Sequence, residues 1–62
     1  METITNKRAF EVEQKEDGTW IGYTYHKVRR SWVCSGATFP YDSRDKARKA
    51  AIDLSSRIKV MA

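Results

Sequence analysis

The first half of the chain alternates apolar and polar side chains around one turn signal, as two paired β-strands do. A first strand is predicted over roughly residues 8–16, and Asp17-Gly18 follows it. This dipeptide tolerates the positive φ angles of a type I′ hairpin turn, and a two-residue turn there would place Val12 opposite Tyr23. The register gathers a largely apolar face from Phe10, Val12, Gln14, Ile21, Tyr23 and Tyr25. The opposite face receives Glu11, Glu13, Lys15, Trp20, Gly22 and Thr24.

A third strand is predicted over roughly residues 31–39. The turn before it is either Arg29-Arg30 or the four residues 27–30, and we favour the longer loop because two arginines suit a type I′ turn poorly. Either loop places Trp32 and Cys34 on the apolar face. The other face receives Val33, Ser35, Ala37 and Phe39. Gly36 indicates a bulge or a close approach of the helix.

The last third of the chain has the spacing of a helix. Pro40 ends the sheet because proline cannot donate to a strand ladder, and Asp42 or Ser43 is a suitable N-cap. Steps of three or four residues, which predict a helix over roughly residues 43–59, connect Ala47, Ala50, Ala51, Leu54, Ile58 and Met61.

These elements predict an α+β domain, in which a three-stranded antiparallel β-sheet is packed on one face by a single C-terminal α-helix, in the order β-β-β-α. Residues 1–6 are expected to be a flexible N-terminal tail, and residues 7–62 to form the single domain.

Length and residue usage narrow the function classes. The chain has 62 residues with one cysteine and one histidine, Cys34 and His26, so it offers neither an internal disulfide nor the four ligands of a structural zinc site. No group orients these two side chains for nucleophilic catalysis, and we expect no catalytic residue, no metal and no cofactor. A homodimer would give such a short chain more buried surface.

The expected location is the cytoplasm. The N-terminal residues contain no apolar run, and no stretch approaches the roughly 20 apolar residues that span a bilayer, so we expect no membrane partner. A single cysteine suits a reducing compartment. The size and composition would also suit a small phage protein.

Positive charge is concentrated in the second part of this basic chain. The net charge is +4 and the isoelectric point about 9.5. Residues 1–22 carry three basic and five acidic side chains, a net of −2, whereas residues 23–62 carry nine and three, a net of +6. Two candidate phosphate-binding clusters result, the helix start with Arg44, Lys46, Arg48 and Lys49, and the second turn with Lys27, Arg29 and Arg30.

Each cluster has an alternative interpretation. Basic side chains at a helix N-terminus are repelled by its partial positive charge. A bound phosphate would offset this repulsion, but acidic neighbours could also neutralise the basic side chains. Those neighbours are Glu16, Asp17, Asp42 and Asp45. The second turn could equally be a solvated loop.

Three apolar side chains are predicted to remain on the uncovered face of the sheet: Trp20, Val33 and Phe39. Several neighbouring exposed apolar side chains usually mark an interface. A homodimer contact, a contact with the N-terminal tail and base stacking are left open, and Glu11 and Glu13 on the same face would repel phosphates.

The order of strand, Asp17-Gly18-Thr19-Trp20, two further strands and a helix opening with Ser43-Arg44-Asp45-Lys46-Ala47 resembles the N-terminal arm-binding domains of tyrosine recombinases. That resemblance implies a sheet that enters the DNA major groove, with the helix packed behind it. Residues 43–51 are also similar to the last helix of double-stranded-RNA-binding domains, whose basic start contacts phosphates. The overall pattern is similar to small HicB-type antitoxin domains, which bind proteins.

The sequence therefore predicts a small non-enzymatic nucleic-acid-binding module, with DNA favoured over RNA. The alternative is a protein-interaction module, such as a phage-type inhibitor or an antitoxin-like partner, with homodimerisation left open.

Overall fold

The computed structural model describes residues 1–58. The strands are β1 (Glu2–Thr5), β2 (Arg8–Gln14), β3 (Trp20–Val28) and β4 (Ser31–Ala37), and the helix is α1 (Arg44–Arg57). The strands form one antiparallel sheet in the order β1-β2-β3-β4, and α1 packs against one of its faces. The predicted α+β class with one C-terminal helix is confirmed, but the sheet has four strands instead of three.

The additional strand lies where a flexible tail was expected. In β1, Glu2 pairs with Phe10 and Thr3 pairs with Ala9. The run Thr3-Ile4-Thr5 is β-branched, which suits an extended backbone, and pairing satisfies the edge of β2 that would otherwise be open. The assignment of residues 1–6 to a tail is therefore wrong.

The first hairpin turn contains three residues, not two. The Gly18 N–H donates to the Lys15 carbonyl at 3.0 Å, and the Lys15 N–H donates to the Thr19 carbonyl at 2.7 Å. Gly18 has a φ of 89°, the left-handed conformation that closes a three-residue loop as a bulge. The Asp17 carboxylate accepts hydrogen bonds from the backbone and the hydroxyl of Thr19 at 3.0 and 2.6 Å.

This turn moves the register by one residue. Val12 pairs with Gly22 and Glu11 with Tyr23, so the predicted pairing of Val12 with Tyr23 is wrong. A slip of one residue transfers every side chain of a strand to the other face. Gly22 and the other even-numbered positions of β3 therefore lie on the face that packs against the helix, and the predicted inner residues of β3 are on the opposite face.

The uncovered surface, which we call the open face, follows from the pairing of the strands. Trp32 and Cys34 share it with Tyr23 and Tyr25, as predicted, but it is not the face that packs against the helix. Its side chains on β2, β3 and β4 are Ala9, Glu11, Glu13, Ile21, Tyr23, Tyr25, Lys27, Trp32, Cys34 and Ala37.

The second turn is the shorter alternative. Val28 pairs with Ser31 around the two-residue loop Arg29-Arg30, so the favoured four-residue loop is wrong. Arg29 has a φ of 59°. Farther along β4, Thr24 pairs with Gly36 but Tyr25 pairs with Cys34, which confirms a bulge beside Gly36. The bulge moves Ala37 to the open face.

The helix lies close to the sheet because small residues meet where they cross. A Cβ atom on Gly22 would lie 2.7 Å from both the Ala47 carbonyl oxygen and the Ala51 Cβ. Ala47, Ala51 and Thr24 are fully buried, and Phe10 is 3% exposed. Gly36 also lies against the helix, as predicted, since a Cβ there would contact Leu54 and Ile58.

The predicted start of the helix agrees with the structure, but the helix ends before the predicted residue 59. Ser43 is the N-cap, and its hydroxyl oxygen accepts from the Lys46 N–H at 3.1 Å. The helix ends at Arg57. The predicted helix position Met61 lies outside the described residues.

Candidate nucleic-acid interface

Three of the four cations predicted at the helix start are ion-paired within the chain. Lys46 and Lys49 lie 3.0 and 3.1 Å from the carboxylates of Asp42 and Asp45, one helical turn earlier. The hydrogen bond and the charge of Lys46 lower the pKa of Asp42. The structure thus contains the acidic neighbours that neutralise this cluster, although Glu16 and Asp17 make no ion pair with it in residues 1–58.

Arg48 joins three elements. Its guanidinium lies 3.1 Å from the Glu2 carboxylate of β1 and 5.5 Å from the ring centroid of Phe10. Arg8 on β2 makes a similar contact, because its guanidinium donates to the Ser55 carbonyl of α1. Both arginines therefore hold the sheet and helix together. Arg44, by contrast, has no carboxylate within 4.0 Å in the described chain.

The second predicted cluster differs because its cations have no ion-pair partner among the described residues. Lys27, Arg29 and Arg30 are exposed. The Lys27 N–H donates to the Lys7 carbonyl at 2.9 Å, which brings the β1–β2 loop beside them. No carboxylate in residues 1–58 lies within 4.0 Å of any of these four charges. We call Lys7, Lys27, Arg29 and Arg30 the hairpin cluster.

Sequence reasoning missed Lys7 as a member of this cluster. A tail over residues 1–6, as the sequence predicts, includes no β1–β2 loop beside the second hairpin. The signal for that loop was Asn6-Lys7, a polar pair between the β-branched run 3–5 and the first predicted strand.

Aromatic rings of the open face adjoin the hairpin cluster. Tyr23, Tyr25 and Trp32 are partly exposed. Lys27 pairs with Trp32 across the strands, and its Nζ lies 5.2 Å from the Trp32 ring centroid. The Nζ of Lys15 lies 5.8 Å from the Tyr23 ring centroid. In nucleic-acid-binding proteins, exposed aromatic rings stack on bases and neighbouring cations contact phosphates.

Carboxylates occupy the β2 side of the same face. Tyr25 donates from its hydroxyl to the Glu11 carboxylate at 3.3 Å, and partial burial together with the charge of Glu11 raises the pKa of Tyr25. Glu13 lies 3.9 Å from the Nζ of Lys15. The open face is therefore acidic along β2 and basic at the β3–β4 turn.

None of the three residues predicted to form an uncovered apolar interface lies on the open face. Trp20 lies on the helix side of β3, partly buried, and its backbone pairs with Tyr41. Val33 also lies on the helix side, at the sheet edge, and is 43% exposed, while Phe39 follows β4 and is 84% exposed. The true open face was missed because of the register. Gly22 was the available signal, since a strand glycine often marks the close approach of another element.

Phe39 borders a groove between the end of β4 and the helix. The groove is lined chiefly by Ala37, Phe39, Tyr41, Ala50 and Leu54, with Asp53 and Arg57 at its polar side. It lies apart from the aromatic side chains Tyr25 and Trp32.

Within the described residues, no three side chains of His, Cys, Asp and Glu are grouped to hold a metal ion. The helix α1 in that part of the chain is not long and apolar enough to cross a membrane. Comparisons of the chain with protein-family models, curated proteins and solved structures give no match.

Proposed function

We propose that the protein is a small non-enzymatic nucleic-acid-binding module that contacts phosphates through the hairpin cluster. The observation that carries the proposal is the position of four cations, none with a carboxylate partner within residues 1–58, beside the aromatic side chains of the open face. Phosphate contacts from lysine and arginine dominate the affinity of such modules, and neighbouring rings add stacking surface.

The conformation of Arg29 supports the same role. A φ of 59° suits glycine or asparagine and is unfavourable for arginine. Residues held in sparsely populated conformations concentrate at functional sites. A turn that only joined two strands would be better served by glycine, so the guanidinium at this position is best explained by a contact outside the fold.

The helix start has a secondary role in the proposal. Lys46, Arg48 and Lys49 would have to leave their ion pairs to reach a phosphate, whereas Arg44 would not. Exposed pairs contribute little to stability and can rearrange. We therefore expect the helix start to add to binding less than the hairpin cluster does.

A charge-matched comparison tests the assignment. In fluorescence anisotropy at about 50 mM salt, where electrostatic binding is strong, Arg29→Gln/Arg30→Gln should weaken binding to DNA by about tenfold or more. Lys46→Gln/Lys49→Gln removes the same charge and should weaken it about threefold or less, since those lysines are already paired. The hairpin variant should also show a shallower dependence of affinity on salt, by about 1–2 in slope.

The two variants separate a local contact from a general attraction. Equal losses would mean that net charge alone drives binding and would overturn the hairpin assignment. No binding of DNA or RNA by the wild type at micromolar concentration would overturn the function itself. Parallel titrations of DNA and RNA of matched sequence test the preference for DNA.

The exposed Phe39 favours a second candidate, a protein-interaction module of the inhibitor or antitoxin type. An aromatic side chain that is 84% exposed beside an apolar groove is a suitable anchor for a protein partner or for a second copy of the chain. Capture of a defined partner that survives nuclease and high salt, and is lost in Phe39→Glu, would favour this candidate. Sedimentation equilibrium of the same variant tests the homodimer, which should dissociate when a charge replaces the ring.

A further inference from the structure

The open face offers separate aromatic platforms near the hairpin cluster. Tyr25 pairs with Cys34, and Lys27 pairs with Trp32, so Tyr25 and Trp32 are diagonal neighbours on adjacent strands. Such neighbours lie about 7 Å apart, and Tyr23 lies at a similar distance from Tyr25 along β3. These spacings leave each ring as a platform of its own for a planar base.

The edge of the sheet leaves these platforms accessible. Among the described strands, β4 has no neighbour on its outer side. Cys34, which separates Trp32 from the bulge in β4, is small and exposed. Lys27 lies over the Trp32 ring and has no carboxylate partner in the described part of the chain, so a base that displaces it from the ring breaks no ion pair there.

The charge of the open face is asymmetric, and this favours one nucleic-acid backbone over two. A major groove is about 12 Å wide and has a phosphate strand on each side, whereas four β-strands span roughly 14 Å. A sheet in that groove therefore needs cations on both sides. Here the β2 side carries Glu11 and Glu13, whose carboxylates would repel the second phosphate strand.

We infer that this surface binds a single nucleic-acid strand, with bases stacked on Trp32 and Tyr25 and phosphates held by the hairpin cluster. The inference rests on the proposed nucleic-acid-binding function and names its ligand class. A single strand can place its one backbone along the basic turn and keep away from the carboxylates of β2. Base stacking on aromatic side chains tolerates any sequence, so we expect little sequence preference.

Anisotropy with three labelled probes tests the ligand class: a 20-nucleotide single strand, its duplex, and an abasic strand of equal length. The single strand should bind at least tenfold more tightly than the duplex or the abasic strand. Trp32→Ala should weaken single-strand binding by about 5- to 100-fold, the range for loss of one stacking platform, and Trp32→Phe should retain most of it.

Tryptophan fluorescence gives an independent measurement in a variant that keeps an aromatic ring. The single strand should quench the wild-type emission, because a base lies on Trp32. In Trp32→Phe the remaining Trp20 is on the helix side of the sheet, so binding should continue without that quenching. The abasic strand should quench neither protein.

The outcomes separate this inference from the function on which it rests. Equal or tighter binding of the duplex, or unchanged affinity for the abasic strand, would overturn single-strand stacking while leaving nucleic-acid binding in place. Quenching that persists unchanged in Trp32→Phe would also overturn it. Absence of binding to all three probes would overturn both.

Discussion

Gly22 is the residue on which the position of the helix depends. Any side chain there would meet the backbone of Ala47 and the methyl group of Ala51 at 2.7 Å. A backbone atom cannot move aside as the end of a flexible side chain can, so the helix would have to shift away from the sheet. The same close approach fixes which face of β3 is left open.

We predict that Gly22→Ala destabilises the protein by about 1–3 kcal/mol, as overpacking does in a tightly packed core. Urea denaturation followed by circular dichroism measures the change. Gly36→Ala is the matched control, because a Cβ at that position would meet only side-chain atoms, at 3.3 Å or more. Its smaller expected loss distinguishes overpacking from a general effect of replacing a strand glycine. Equal losses in the two variants would contradict the explanation.

Arg29 links turn geometry to the proposed binding surface. We predict that Arg29→Gly raises stability by about 0.5–1 kcal/mol, because glycine relieves a left-handed conformation that costs arginine about 1–2 kcal/mol and returns part of the gain as backbone entropy. The same change should weaken nucleic-acid binding. Arg30→Gly is the control, since Arg30 has no positive φ and should gain no stability. Chemical denaturation and anisotropy on one set of samples show whether stability and affinity move in opposite directions.

At the scale of elements, the helix could be predicted from the sequence because its signals are local. The Ser43 cap and the apolar steps that follow it depend only on residues close in the chain. The existence of the strands was equally accessible, except for β1, where four residues offered too short a pattern to separate a strand from a tail.

The register of the first hairpin was not accessible in the same way. Asp17-Gly18 fits the two central positions of a type I′ turn, and Gly18 alone also fits the left-handed position of a three-residue loop. The apolar pattern favoured the two-residue turn, because that turn places Phe10 and Val12 on the same face as Tyr23 and Tyr25, whereas in the structure they pair with Thr24 and Gly22. One residue of loop length therefore decided whether Tyr23 and Tyr25 faced the helix or the solvent.

The register of the first hairpin also decides whether aromatic side chains lie on the open face beside the basic turn. Lys27, Arg29 and Arg30 could be identified as a basic turn from the sequence, but their aromatic neighbours could not be assigned to an uncovered face. The sequence also did not indicate which of the two basic clusters is ion-paired with carboxylates. The pair Arg48–Glu2 joins residues 46 positions apart, so only the folded chain reveals it.

At the scale of the whole molecule, the shifted pKa values of two aspartates and one tyrosine make stability depend on pH. Hydrogen bonds from Thr19 lower the pKa of Asp17, and the hydrogen bond and charge of Lys46 lower that of Asp42. A carboxylate with a lowered folded-state pKa stabilises the fold above its unfolded-state pKa, and the contribution disappears as the pH falls through the folded-state value. We therefore predict a loss of stability below about pH 4, near the ordinary aspartate pKa.

At alkaline pH the stability contribution of Tyr25 has the opposite pH dependence. Partial burial and the charge of Glu11 raise the pKa of Tyr25, so its neutral form is favoured in the folded state. Its contribution is complete below the ordinary tyrosine pKa of about 10 and disappears as the pH rises through the folded-state value. Melting temperature measured between pH 2 and pH 11 by circular dichroism should therefore decline at both ends of the range.

Two substitutions assign these limits to their residues. Asp17→Asn keeps an oxygen that can accept from Thr19 but no longer titrates, so the acidic decline should become shallower while the alkaline one is unchanged. Tyr25→Phe should make the alkaline decline shallower and leave the acidic one as it is, because it removes the hydroxyl that donates to Glu11. If each variant keeps the full decline at its own end, the hydrogen bonds of Asp17 and Tyr25 do not couple folding to protonation. Tyr25→Phe also preserves a ring on the open face, so its affinity for a single strand should stay close to that of the wild type even as its alkaline stability changes.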